Sequence, residues 1–151
     1  MAIGIFGGSL FEADAGVICH QVNCRGVMGA GVAKQVRLRY PGVYEEYARL
    51  CAAADPRSSL LGTAQRVGVS GGRIGAVWNL FGQDRYGSGG PHTSYGALRK
   101  CFREVASAEP CGSAVAMPWG IGCGLGGGDW ETVCRMLDEE FARHLLVLCR
   151  I

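Results

Sequence analysis

No stretch of this 151-residue sequence approaches the ~20 apolar residues of a membrane span, although nearly half of its residues are hydrophobic. Its start, Met1 to Gly8, carries neither a basic segment nor a long apolar run, so a soluble, cytoplasmic protein with no membrane partner is expected. Runs of like charge are also missing. The net charge of +2 comes from interspersed basic and acidic residues, which removes the electrostatic footprint of a nucleic-acid binder. Nucleic acid is therefore not implied as a partner, and a small anion held by backbone donors remains open. The eight cysteines include no Cys-x-x-Cys pair and no Cys/His cluster with zinc spacing, so a metal is not expected; no cofactor is expected either. Cys19, Cys51, Cys101, Cys134 and Cys149 lie in apolar periodic segments and read as buried free thiols; Cys24 and Cys123 stand apart in glycine-rich loops. No sequence neighbour of Cys123 would lower its pKa and make it a nucleophile. Repeats, low-complexity tracts and linkers are absent too, which leaves residues 1–151 as one domain. Gly7 and Gly8 do not supply the Gly-x-Gly-x-x-Gly of a dinucleotide fold, and no Gly-Lys-Ser/Thr of a P-loop occurs, so an NAD- or nucleotide-binding regulatory domain is disfavoured.

What is present is an alternation of strand and helix patterns. Strand-like runs occupy Ala2–Phe6, Val17–Val22, Ala64–Val69, Ile74–Phe81, Ser113–Met117 and Leu145–Cys149. Apolar residues three and four apart mark helices between them: Val32, Val36 and Tyr40, stopped by Pro41; Val43, Tyr47 and Leu50; Tyr95, Leu98, Phe102 and Val105; Val133, Met136, Leu137 and Phe141. Thr93 and Asp129 are the expected N-caps of the last two. Gly71 and Gly72 read as a hairpin turn, and Gln83 to His92 as a long polar loop. The alternation predicts an α/β fold whose mixed, largely parallel sheet is covered by helices on both faces.

Two glycine-rich segments carry the chemistry, His20 to Lys34 and Gly120 to Trp130. Each follows a strand-like run and precedes a helix, so each would place backbone N–H groups at a helix N-terminus, where phosphate is held. Two such loops suggest a clamp for a diphosphate. The segments HQVNCRGVMGAGVAKQVRLRYPGVYEEY and MPWGIGCGLGGGDW, with WNLFGQDRYG between them, resemble the macrodomain family. The likeness is to its branch of ADP-ribose 1''-phosphate-processing proteins and the terminal ADP-ribose protein glycohydrolase, and it covers nearly the whole chain in order.

The resemblance implies a three-layer α/β/α sandwich binding ADP-ribose at the ends of central strands. Asn23 matches the asparagine that orients the distal ribose; Gly29, Ala30, Gly31 and Val32 match the first-loop backbone; Ile121, Gly122, Cys123, Gly124 and Leu125 match the loop that wraps the diphosphate. Leu10 and Phe11 fall where the family lines its adenine pocket, and Ser9 stands where many members carry an aspartate. The lysine and aspartate of the glycohydrolase type fall at the Gly82–Gln83 turn and at Gly126, so a lysine-adduct mechanism does not carry over.

The other candidates come from residue chemistry. Asp84, flanked by Gln83 and Arg85, either holds and deprotonates a water attacking the distal ribose or pairs with Arg85 on an exposed loop. His20, three residues before Asn23, is either a structural histidine or points toward the site. Trp119 and Tyr86 either stack on ligand or, for Trp119, belong to the core. The expected activity is removal of mono-ADP-ribose from acidic side-chain esters on protein, with ADP-ribose and ADP-ribosylated protein as partners. The alternatives are phosphate removal from ADP-ribose 1''-phosphate and a reader that binds ADP-ribose without turnover.

Overall fold

The computed structural model describes residues 2–151, and among these the chain forms six strands and four α-helices. In chain order they are β1 (Ala2–Gly7), β2 (Val17–Val22), α1 (Gly31–Arg39), α2 (Pro41–Ala53), β3 (Ala64–Gly68), β4 (Ala76–Phe81), α3 (Tyr95–Ala108), β5 (Ala114–Pro118), α4 (Trp130–Glu140) and β6 (Leu145–Arg150). The strands form one sheet in the order β1-β6-β5-β2-β4-β3. All neighbours are parallel except β3 and β4, which run antiparallel across the turn at Gly71 and Gly72.

Alternation along the strands sends side chains to two separate cores. Val17 and Cys19 of β2, with Ala76, Trp78 and Leu80 of β4, pack against Leu98, Phe102 and Val105 of α3 and Val133 and Leu137 of α4. Ile18 and Val22, with Val77 and Phe81, pack on the other face against Val36 of α1 and Val43, Tyr47 and Cys51 of α2. The α/β/α sandwich follows from this division. The predicted stripe of α2 ends on Cys51, with Leu50 only half-buried.

Pro41 separates the first two helices. It holds Tyr40 at φ −128°, ψ 76°, outside the helical region, and itself starts α2, where its missing N–H costs nothing. Two expectations change. The cap of α3 is Ser94, whose Oγ accepts from the Ala97 N–H at 3.2 Å, because Thr93 turns its hydroxyl to the Gly122 carbonyl instead. Among the cysteines, Cys134 is half-buried, while Cys24 is fully buried despite its loop.

The topology makes one opening. The chain leaves β2 toward β4 on one side and returns to β5 on the other, and β2 and β5 pair only at Val17–Val115 and Ile18–Ala116. Beyond those pairs the strands part, and a cleft opens at their carboxyl ends, the position at which open α/β sheets take ligands.

Candidate functional site

The cleft encloses about 700 Å³ and is walled by the ends of β2 and β5, the start of α1, the Gln83–Ser88 loop and the second glycine loop. Two sets of free backbone donors face into it. Ala30 caps α1 without a side-chain hydrogen bond, and among the described residues the N–H groups of Gly31, Val32 and Ala33 have no acceptor. In the second loop the N–H groups of Gly120, Gly122, Gly124, Leu125 and Gly126 are likewise unpaired among the described residues. Cys123 is different, because its N–H is spent on the Gly120 carbonyl at 2.8 Å and its side chain does not reach the cleft wall. Burial pushes its thiol up to about 11, so it is a poor nucleophile. Gly120 and Gly122 sit at φ +79° and +78°, which lets the loop fold back so that Gly128 N–H closes on Gly122 O.

Asn23 lies on the wall with its carboxamide largely committed to its own loop. Its Oδ1 accepts from Arg25 N–H at 2.9 Å and from the Tyr47 hydroxyl at 2.8 Å, and its Nδ2 donates to Val27 O at 2.8 Å. One N–H remains for a ligand, so Asn23 is a donor only. Tyr47 reaches up from α2 to fix this turn, accepting from Val27 N–H while donating to Asn23; burial raises its pKa and keeps it protonated.

Asp84 is not on the cleft wall. Its two carboxylate oxygens each receive Arg25 Nη2 at 2.8 Å, and its carbonyl accepts from Cys24 N–H, so it ties the Gln83–Asp84 turn to the Asn23 loop. The general-base expectation for Asp84 is therefore corrected: an ion-paired carboxylate that does not line the cleft has no water there to activate. Arg85 also stays off the wall, contributing its carbonyl to Gln83 Nε2 at 2.6 Å. Gln83 itself does line the cleft.

His20 borders the cleft from beneath and is 1% exposed. Its Nε2 meets Asn79 Oδ1 at 2.6 Å, Asn79 Nδ2 donates to Gln65 Oε1, and Gln65 Nε2 donates to the Glu46 carbonyl. A carbonyl can only accept, so the chain has one direction and puts the His20 proton on Nε2. Burial lowers its pKa to about 4, leaving a neutral ring whose Nδ1 is buried without a partner. His20 thus has a structural partner in Asn79 and also borders the cleft.

Ser9, Leu10 and Phe11 do not line this cleft. Ser9 Oγ caps a 3-10 turn at the Phe11 N–H, Leu10 is buried in the core, and Phe11 packs on Tyr40 beneath the Arg39 guanidinium. Ser9 and Phe11 instead border a shallow depression with Gln35, Leu38 and Arg39. Trp119 is on the cleft wall, tilted against Trp130 at 52° with the Arg150 guanidinium over its ring, and Tyr86 and Leu125 stand exposed at its mouth. Sequence reasoning missed Gln21 and Tyr47; the only sign of Gln21 was a second polar residue, beside His20, near the end of an apolar strand.

The sequence that builds this cleft matches a known family model, described as Macro domain, over residues 19–137. The chain belongs to the macrodomain family. A curated relative from Mycobacterium tuberculosis, named DNA ADP-ribosyl glycohydrolase, is 30% identical over 140 residues, covering 89% of this macrodomain but only 37% of the relative's length. The macrodomain of Mycobacterium tuberculosis DarG superposes with a TM-score of 0.78 at 27% identity, over 99% of this chain and 97% of that one. A Bacteroides thetaiotaomicron protein of unknown function gives 0.84 at 28% identity, over 100% and 99%.

Among the described residues no ionised side chain lines the cleft: its wall is backbone, apolar groups, the carboxamides of Gln21, Asn23 and Gln83, the Ser88 and Tyr86 hydroxyls and the neutral His20. No His/Cys/Asp/Glu group suited to a metal occurs among them, and no helix is long and apolar enough to cross a membrane.

Proposed function

We propose that this macrodomain is an ADP-ribosyl hydrolase that releases mono-ADP-ribose from acidic side-chain esters on protein. The observation that carries the proposal is the pair of unpaired N–H arrays facing one cleft, at α1 and at Gly120–Gly126. Aligned backbone donors at a helix N-terminus suit a diphosphate without any cationic side chain. With the diphosphate there, the Asn23 N–H and the Gln83 carboxamide would meet the distal ribose.

The neutral wall favours the ester linkage. A carboxylate departs from the anomeric carbon unaided by an acid, so orientation and hydrogen bonds to developing charge suffice. A ring nitrogen, the leaving group of a base-linked ADP-ribose, leaves with more help than neutral amides supply. The second reading, hydrolysis of ADP-ribose from DNA, is favoured by the name of the mycobacterial relative. A cytoplasmic setting is part of the proposal and agrees with eight free thiols.

The test presents wild-type protein with glutamate-linked ADP-ribosylated protein, base-linked ADP-ribosylated DNA and ADP-ribose 1''-phosphate in parallel, following free ADP-ribose and phosphate. Fastest release from the glutamate conjugate is expected. Preference for DNA or for the phosphorylated nucleotide would replace the ester reading, and tight binding with no release from any of them would make the protein a reader.

A further inference from the structure

On the face of β2 opposite His20, Gln21 sends its carboxamide between the two loops that frame the reacting end of the cleft. Its Nε2 donates to Gln83 Oε1 at 2.7 Å and to Thr93 Oγ1 at 2.9 Å; Thr93 in turn donates to the Gly122 carbonyl at 2.6 Å. Gln83 Nε2 donates to the Arg85 carbonyl at 2.6 Å. The direction of every bond is set by the two main-chain carbonyls at the ends. Because Gly122 O only accepts, Thr93 must donate to it and accept from Gln21; because Arg85 O only accepts, Gln83 must turn Nε2 outward and Oε1 toward Gln21. Among neutral side chains, only an amide at position 21, with two protons to give on one nitrogen, satisfies both sides at once.

The backbone makes room for this group. A Cβ on Gly82 would overlap Gln21 Oε1, and one on Gly126 would overlap Thr93 Oγ1 and stand 2.9 Å from Gln21 Nε2. The two positions at which the resemblance implied a charged pair are thus backbone and small turn, and the space is held by the neutral amide and hydroxyl. Gln21 Oε1 is buried with no partner. A buried unsatisfied acceptor costs stability, so packing alone would favour an apolar side chain here, and sites that break such a rule are where function is expected.

We infer that Gln21 is a positioning residue for the reaction: acting through Gln83 and Thr93, it fixes the direction of the Gln83 carboxamide, which lines the cleft and keeps one N–H besides the one given to Arg85 O. The inference rests on the hydrolase reading for its rate effects and on the hydrogen-bond geometry alone for its orientation effects. Gln83 is then the catalytic donor that touches substrate, and Thr93 registers it against the diphosphate loop.

The experiment measures turnover on the glutamate conjugate, ADP-ribose affinity by calorimetry, and solvent exchange of the side-chain amide protons by NMR. Gln21→Met is expected to lower kcat about tenfold, the equivalent of one hydrogen bond, with KM nearly unchanged. Gln21→Glu should be worse, since a carboxylate forces Gln83 to reverse and set its oxygen against the Arg85 carbonyl. Thr93→Val should lose rate and Thr93→Ser recover most of it. The decisive arm is the Gln83→Ala background, in which Gln21→Met should have no further effect on kcat. A full tenfold loss there, or equal falls in kcat and affinity throughout, overturns the inference. In wild type the Gln21 amide protons should exchange slowly, and Gln21→Met should speed exchange at Gln83; unchanged Gln83 exchange overturns the inference even if no substrate is turned over. Absence of wild-type turnover, by contrast, overturns only the hydrolase reading. If Gln21→Met does not fold, Thr93→Val in the two Gln83 backgrounds carries the same cycle.

Discussion

Asp84 and His20 show how far a side chain's partners decide its chemistry. Asp84 is the loop carboxylate a hydrolase would want, yet both its oxygens are taken by Arg25 and its main chain by Cys24. Asp84→Ala should therefore reduce kcat by well under the roughly 100-fold of a lost general base, and it should instead loosen the Asn23 loop and weaken ADP-ribose binding. Arg25→Ala should reproduce it, and calorimetry alongside turnover separates the outcomes; a large kcat loss with intact affinity would return Asp84 to catalysis. His20 makes a different prediction. Its pKa falls from an ordinary 6.5 to about 4 on burial, so between those values the unfolded chain binds the proton and the folded chain does not. The sign follows: this contribution is fully present above about pH 6.5 and is lost as pH falls toward 4, by roughly 3 kcal/mol over the whole window. Urea titrations at pH 7 and pH 4.5 measure it. His20→Gln should flatten the difference, and an unchanged slope would mean that other groups govern acid stability.

At the level of elements, the binding site is a property of where strands end and how helices begin. The first turn of α1 carries no capping side chain, and the second loop leaves the N–H groups of Gly120, Gly122, Gly124, Leu125 and Gly126 unpaired among the described residues. Gly124 tests the loop most cleanly, because a Cβ there meets nothing within 4 Å and its φ is not positive, whereas at Gly122 a Cβ would press on Leu98 at 3.0 Å. Gly124→Val should leave the fold intact and weaken ADP-ribose binding by an order of magnitude or more, by placing a branched side chain beside the free donors; unchanged affinity by calorimetry would remove this loop from the phosphate site. The strands and both glycine loops were legible in the sequence, because short apolar runs and glycine clusters are local signals. Thr93 does not cap α3 for a physical reason that local sequence does not carry: two adjacent hydroxyls compete for one helix end, and the carbonyl that draws Thr93 away lies 29 residues downstream. Gln21 was invisible for the same reason, since its partners Gln83 and Thr93 are 62 and 72 residues away.

The molecule as a whole joins a two-core sandwich to a cleft that has no ionised wall. Each layer of helices stabilises its own face of the sheet, so the parting of β2 and β5 is held from both sides and the cleft is preformed. What the fold brings there is oriented dipole: helix-end N–H groups, loop N–H groups and three carboxamides. Such a site exerts its field at any pH at which the protein is folded. The buried ring on the wall, His20, is already neutral above about pH 4, and the Cys123 thiol is protonated below about pH 11. Turnover of the glutamate conjugate should therefore show no bell-shaped dependence on pH. From pH 6 to 9 the log of kcat should stay within a few tenths of flat, once spontaneous loss of the ester is subtracted, because neither His20 nor Cys123 changes charge in that interval. A slope of one in log kcat, with a midpoint between pH 6 and 8, would show that an ionising protein group enters the reaction after all. His20→Gln would then distinguish its ring from a group carried in by the substrate, since loss of the slope in that variant assigns it to the histidine and its persistence assigns it to the ligand's own phosphate.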